Sequence, residues 1–289
     1  MTLRLKAAAF TPIPTSSDDS HLSLQEQARA LAGLMHQHHQ QLTSEQSEGE
    51  PLTGARHFLC STMLELPFTS GALSLTHFRH ADDPLAPSSY INTYECASWG
   101  YTLRYYLSQL KQAGQSQGQL LFSILDANLM GLSFWRQNEN WGHSGFGLTS
   151  VWLDVEDVDS ALQHLATSCA QTWNATPEFA TLIRRHTSQR DDITLGLPFF
   201  PDHIRQIFDK LLAEQTRLPD HHARWGHVFG SDPWLAIIEQ QQTAPTEQRY
   251  LPASIALNGY YCWAEVSVGA DSRCYLNDAF QWPQERVAC

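Results

Sequence analysis

Residues 89–110 read SYINTYECASWGYTLRYYLSQL, and two periodicities meet inside them. Tyr90-Ile91-Asn92-Thr93-Tyr94 alternates in polarity and is rich in residues that suit a strand. Trp99, Leu103, Tyr106, Leu107 and Leu110 then recur at helical spacing and mark one apolar face. Cys96 sits at the joint. A thiol there meets the positive end of a helix dipole, which favours the thiolate, the nucleophile of acyl-thioester chemistry. The competing reading is a structural Cys96, because free cysteine is among the most buried residue types.

Around this stretch lie 289 residues, 42% hydrophobic and 17% charged, enough for one large or two medium domains with ample core. No run approaches the roughly 20 apolar residues of a membrane helix. The opening MTLRLKAAAF lacks a sustained apolar core and is followed by Pro12 and Pro14, which argues against a signal peptide. Six scattered cysteines (Cys60, Cys96, Cys169, Cys262, Cys274, Cys289) form no CxxC, so free thiols in a cytoplasmic protein are expected. The net charge of −12, from 18 basic and 30 acidic residues, argues against nucleic acid, whose phosphates need basic patches.

Residues 3–10 read as a strand stopped by the two prolines, and residues 15–20 as a polar loop. Ser23 with Glu26 makes a capping box for a helix through Leu31, Leu34 and Met35. His36, His38 and His39 invite a metal reading, but with no carboxylate or cysteine beside them in sequence they read as a solvated helix end. Residues 57–63 form a buried strand with Cys60 in the core, and residues 120–126 a strand buried on both faces. WGHSGFG at residues 141–147 leads into a strand over 148–155, its glycines permitting close backbone approach. It is no phosphate loop, since GxGxxG must follow a strand and open a helix.

The second half predicts helices over 158–170, 179–185, 202–215 and 234–242 and a short strand over 224–230. A hairpin over 254–268 turns at Asn258-Gly259. The alternation of strands and helices predicts an α/β protein with a largely parallel sheet.

The order of these pieces resembles the thiolase fold, in particular the β-ketoacyl-acyl-carrier-protein synthase III branch of the ketosynthases. Glu95-Cys96-Ala97-Ser98-Trp99-Gly100-Tyr101 is similar to the family's nucleophile segment, A-C-A/S-G-x-x-x-A-L. Residues 141–148 take the place of F-G-D-G-A-G-A, with Ser144 where aspartate is usual. His227, in WGHVFG, is the best match to the histidine that the family places at a strand end in H-Q-A-N. Residues 257–264, LNGYYCWA, look like the terminal G-x-G-x-x-W-G-A.

The resemblance implies a thiolase-like α/β fold of two pseudo-repeated βαβαβαββ halves in αβαβα layers. Residues 1–157 would carry the nucleophile Cys96 and residues 158–289 the catalytic His227. Asn258 and Gly259 would support the oxyanion. The implied function is a ketosynthase-like acyltransferase or synthase in fatty-acid-like or specialised-metabolite biosynthesis. Its acyl-thioesters would ride on coenzyme A or an acyl carrier protein, with no cofactor or metal, and dimers would form by analogy.

The family's asparagine, in G-N-x-x-x-A-S some thirty residues beyond the histidine, has no counterpart between His227 and Tyr250. Losing one of two enolate donors costs about 2.7–4 kcal/mol of barrier, so decarboxylative condensation should be poor while acyl transfer survives. Asp232 is a candidate base, although Ser231-Asp232-Pro233 also reads as a helix start. The alternatives are a non-catalytic ketosynthase-like subunit of a heterodimer, or an unrelated α/β binding protein.

Overall fold

The computed structural model describes residues 3–14, 22–44 and 55–283; the loop expected over 15–20, most of the connector at 43–54, and Cys289 lie outside the described residues. The first half runs β1 (Leu3–Pro12), α1 (Leu24–Thr43), β2 (Arg56–Cys60), α2 (Glu65–Thr69), β3 (Ser89–Ile91), α3 (Ser98–Gln112) and β4 (Gly118–Asp126). It closes with α4 (Ser133–Arg136), a ribbon of β5 (Gln137–Asn138) and β6 (Gly142–His143), and β7 (Gly147–Val155). The second half runs α5 (Val158–Gln163), β8 (Leu165–Cys169), α6 (Ala175–Thr187), β9 (Ile193–Gly196), α7 (Asp202–Leu211) and α8 (His222–Trp225). It ends with α9 (Asp232–Thr243), β10 (Gln248–Ile255), β11 (Tyr260–Ala264) and β12 (Val266–Leu276).

Strand pairing exposes a repeat. The first half has the order β3-β2-β4-β7-β1, parallel through β3, β2 and β4 and antiparallel at β7. The second half repeats it as β9-β10-β11-β8, with β9 and β10 parallel and β11 antiparallel to both its neighbours. The counterpart of edge strand β3 is reduced to a single parallel bridge, Arg217 to Leu195 of β9, with the Leu195 amide donating to Thr216 O and the Leu218 amide to Leu195 O, both at 2.9 Å. The two sheets are joined rather than separate, because β12 pairs with both β10 and β1.

Helices α3 and α9 lie between the two groups of strands. α3 touches β2, β3 and β4 on one side and β8 and β11 on the other, and α9 spans β1, β9, β10 and β12. α9 buries Trp234, Leu235, Ala236, Ile237 and Ile238 in succession, as an all-round apolar helix must. The indoles of Trp99 and Trp234 meet edge-on at 5.1 Å. Gly100 is required by close approach, since a methyl group there would lie 2.3 Å from Cys262 Cβ. α1 lies against β1 and β7, and α6 against α7, completing the layers.

Two expected elements differ. The helix read over 158–170 stops at Gln163, and residues 165–169 become β8, because each of them pairs across to β11. Pairing overrides the helical spacing of Leu162, Leu165 and Ala166. The strand read over 224–230 is instead the end of α8 and a 3-10 turn, Phe229–Ser231, with one isolated bridge, Ser144 to His227. The capping box at Ser23 and Glu26 and the hairpin at 256–259 are present.

The histidines of α1 are not solvated. His38 bonds Thr11 and Ser150, and His39 bonds Asp83 at 2.7 Å. Among the described residues no group of histidines, cysteines and carboxylates is arranged to hold a metal, and no helix is long and apolar enough to cross a membrane. Burial holds His38 down to about 3 and pushes His57 well below the usual imidazole range. The unfolded chain therefore binds protons that the folded chain refuses, and stability falls as pH drops from about 6.5 toward 3, by about 1.4 kcal/mol per unit from His38, with His57 acting in the same direction. Urea unfolding between pH 7 and 5 should show this slope, and His38→Gln should reduce it.

Candidate active site

Cys96 lies in the 3-10 turn Glu95–Ala97 that opens α3, and His227 lies just before the 3-10 turn Phe229–Ser231 that opens α9. The two turns occupy equivalent places in the repeat. Each begins on a non-glycine residue in the left-handed region, Glu95 (φ 45°) and Phe229 (φ 55°), a conformation that costs about 1–3 kcal/mol and concentrates at functional sites. They touch closely: a methyl group at Gly230 would lie 3.1 Å from the Cys96 carbonyl oxygen.

This contact places Cys96 Sγ 3.9 Å from His227 Nε2. On the far side of the ring, Nδ1 lies 2.6 Å from Asp232 Oδ2 and 3.1 Å from the Phe199 carbonyl oxygen. Both partners accept, so Nδ1 carries the proton and Nε2 turns its lone pair to the thiol. The Asp232 carboxylate also accepts from the Phe199 amide (2.9 Å) and the Val228 amide (2.6 Å). All three side chains are buried, Asp232 completely. Burial pushes the Asp232 carboxyl upward, opposed by His227 and the two amides.

The backbone of His227 is pinned by the glycine segment before β7. The His227 amide donates to His143 O and its carbonyl accepts from the Gly145 amide, both at 3.0 Å. A methyl group at Gly145 would lie 2.0 Å from Trp225 O, so the close approach expected of this segment is what seats the histidine.

His227 is not at a strand end. It follows Gly226 and precedes the turn into α9, which is where the family resemblance expects glycine-asparagine at a helix start. The strand-end place, after β9 and before α7, is filled by residues 197–201, including Phe199 and Phe200. The edge strand that would precede His227 is cut to the single bridge at Arg217. Beyond that bridge, α8 and the turn bring the histidine in from the α9 side, and Phe200 stacks on its ring at 5.4 Å.

One further expectation is corrected, and the atoms named for a second have other partners. Cys96 is not biased toward thiolate: burial first, then the carboxylates of Asp126, Glu95 and Asp232, push its thiol well above the usual value. The Asn258 and Gly259 amides are occupied. Glu95 Oε2 accepts from the Leu257 amide at 2.9 Å and the Asn258 amide at 3.4 Å, and the Gly259 amide donates to Ala256 O. That loop reaches the pocket through Ala256 and Leu257 instead. Its Leu257 and Asn258 amides hold Glu95.

The pocket above Cys96 has a volume of about 210 Å³. Trp135, Trp141, Phe200 and Phe229 line it, and Trp173, Asn174 and Leu257 edge it with exposed side chains. The Thr62 hydroxyl donates to Cys96 Sγ at 3.9 Å. Behind it, buried Asp126 accepts from the Thr62 amide (2.6 Å), and its carboxyl is pushed up to about 6 by burial. Sequence reading missed Thr62, Asp126 and the aromatic lining, none of which carries a local motif. Asp232 had a usable signal in Ser231-Asp232-Pro233, where a helix-start carboxylate falls five residues after the histidine.

No family model matches the sequence, and no curated protein matches it. Solved structures do match by shape. ChlB3, described as an acyltransferase, superposes with a TM-score of 0.60 at 13% identity, over 92% of this chain and 97% of that one. AbyA1, a tetronic acid condensing enzyme, gives 0.59 at 15% identity, over 90% and 98%. The 3-oxoacyl-[acyl-carrier-protein] synthase III of Aquifex aeolicus gives 0.58 at 9% identity, over 91% and 99%. Likeness at this identity establishes the fold, which is the thiolase-type fold of these synthase III structures.

Ionised Asp126 opposes ionisation of Cys96 above pH 6, so removing its charge lowers the cost of the thiolate. Asp126→Asn should move the midpoint of Cys96 alkylation by iodoacetamide to lower pH, read by peptide mass across a pH series.

Proposed function

We propose that this chain is a ketosynthase-like acyltransferase that forms an acyl-enzyme on Cys96. The observation that carries the reading is the buried line from Cys96 through His227 to Asp232, at 3.9 and 2.6 Å, on the floor of an aromatic-lined pocket. His227 Nε2 takes the thiol proton as Sγ attacks the thioester carbonyl. The carbon–sulfur bond to the carrier then breaks, and His227 returns the proton to the departing thiol. In the second half, an acceptor hydroxyl or amine gives its proton to Nε2 and attacks the acyl carbon, and Cys96 leaves and is reprotonated. Asp232 fixes the tautomer and stabilises the imidazolium formed during each transfer.

The same geometry supports acyl transfer over condensation. An enolate needs donors, whereas His227 spends its Nδ1 proton on Asp232 and presents a lone pair at Nε2. The retained line also favours a catalytic subunit over a non-catalytic partner. Acyl carriers are read as coenzyme A or an acyl carrier protein, by analogy with the fold, and the analogy extends to a dimer with itself or a related subunit.

Release of free thiol from acetyl-thioesters tests this. The wild type should release it and Cys96→Ala should not. Asp232→Asn should slow release by about 10²- to 10⁴-fold. Malonyl-thioesters should lose carbon dioxide slowly or not at all. Brisk decarboxylation, or thiol release unaffected by Cys96→Ala, would overturn the proposal.

A further inference from the structure

One side chain divides two cavities. Phe200 lines the reactive pocket of about 210 Å³ and also a second cavity of about 480 Å³. The second cavity has an apolar wall of Leu197, Pro198, Phe208 and Leu218. Its polar rim is internally paired, Arg205 with Asp220 at 3.4 Å and Arg217 with Asp209 at 2.7 Å, so no charge is left waiting for a partner. Three rings stack from this cavity to the reacting pair: Phe208 to Phe200 at 5.8 Å and 16°, and Phe200 to His227 at 5.4 Å and 17°. The Phe200 amide is fixed to Asp220 Oδ2 at 3.2 Å, and Phe200 is the one residue common to both linings.

We infer that Phe200 sets the upper length of the group that Cys96 can carry. A pocket of about 210 Å³ lies below the roughly 300–1,000 Å³ of pockets for drug-sized ligands, so it suits a short acyl group. An apolar continuation for a longer chain attached to Sγ runs through the place of the Phe200 ring toward Leu197, Phe208 and Leu218. Removing the ring joins the cavities and admits that chain. The inference rests on the acyl-transfer reading for its substrate class, but the size limit is a property of the pocket itself.

The test uses Phe200→Ala and the milder Phe200→Leu, each checked by thermal unfolding, and the double variant Phe200→Ala with Leu218→Trp. The first readout is the rate at which N-alkyl iodoacetamides of increasing chain length modify Cys96, resolved by peptide mass from Cys169. The second is thiol release from acyl-thioesters over the same lengths. Wild-type rates should fall by about tenfold or more for each methylene beyond the limit. Both single variants should raise the ratio of long-reagent to short-reagent rates and so move the limit to longer chains, and Leu218→Trp should move it back. An unchanged length profile in folded Phe200→Ala and Phe200→Leu, or a wild type as fast with long chains as with short, overturns the inference. A shifted alkylation profile with no thioester consumed by any form keeps the size limit and sinks the acyl-transfer reading instead.

Discussion

The contact between two helix-opening turns is what the rest of the site depends on. Cys96 and Gly230 sit at the heads of α3 and α9, and Gly230 lacks the methyl group that would crowd the Cys96 carbonyl at 3.1 Å. Both turns carry a strained residue, Glu95 and Phe229, held by packing that neither turn could supply alone. Glu95 is tied to the 257–258 amides, and Phe229 is wedged among Trp135, Trp141 and His227. A repeat of one βα unit thus brings a thiol from one half against an imidazole from the other. The two side chains are 131 residues apart in sequence and 3.9 Å apart in space.

Burial then decides the chemistry. A solvated thiol at a helix start would lean toward thiolate, but Cys96 is enclosed and faces three carboxylates, so it rests protonated. Such a thiol is a nucleophile only if a base takes its proton during attack. In the proposed reaction His227 would be that base: two amides hold the Asp232 carboxylate, and the carboxylate holds Nδ1. Asp232 is the first residue of α9, so the helix that fills the molecular centre also anchors the His227 ring.

Much of the fold was legible in local pattern. The capping box at Ser23, the buried strand at residues 120–126, the glycines before β7 and the terminal hairpin each follow from short-range rules, and each is present. Cys96 was legible for the same reason, since it stands where period two changes to period 3.6. What failed was set by tertiary pairing. β8 looked helical until its partner β11 was known, and His227 looked like a strand end because the shortening of the edge strand to one bridge at Arg217 leaves no trace in spacing. The oxyanion role expected of Asn258 and Gly259 came from resemblance, and Glu95, a residue 162 positions from Leu257, occupies the neighbouring amides. Phe200 and Asp126 carry no motif at all, and their importance is a matter of which cavity or carboxylate lies next to which atom.

The central claim is a covalent acyl-enzyme on one cysteine. Peptide mass mapping after brief exposure to an acetyl-thioester tests it most directly. The account predicts an acetyl group on the peptide containing Cys96, absent from Cys60, Cys169, Cys262 and Cys274, and slow to form in His227→Gln. An unmodified Cys96 after prolonged exposure, or a label that forms equally fast without His227, would contradict it.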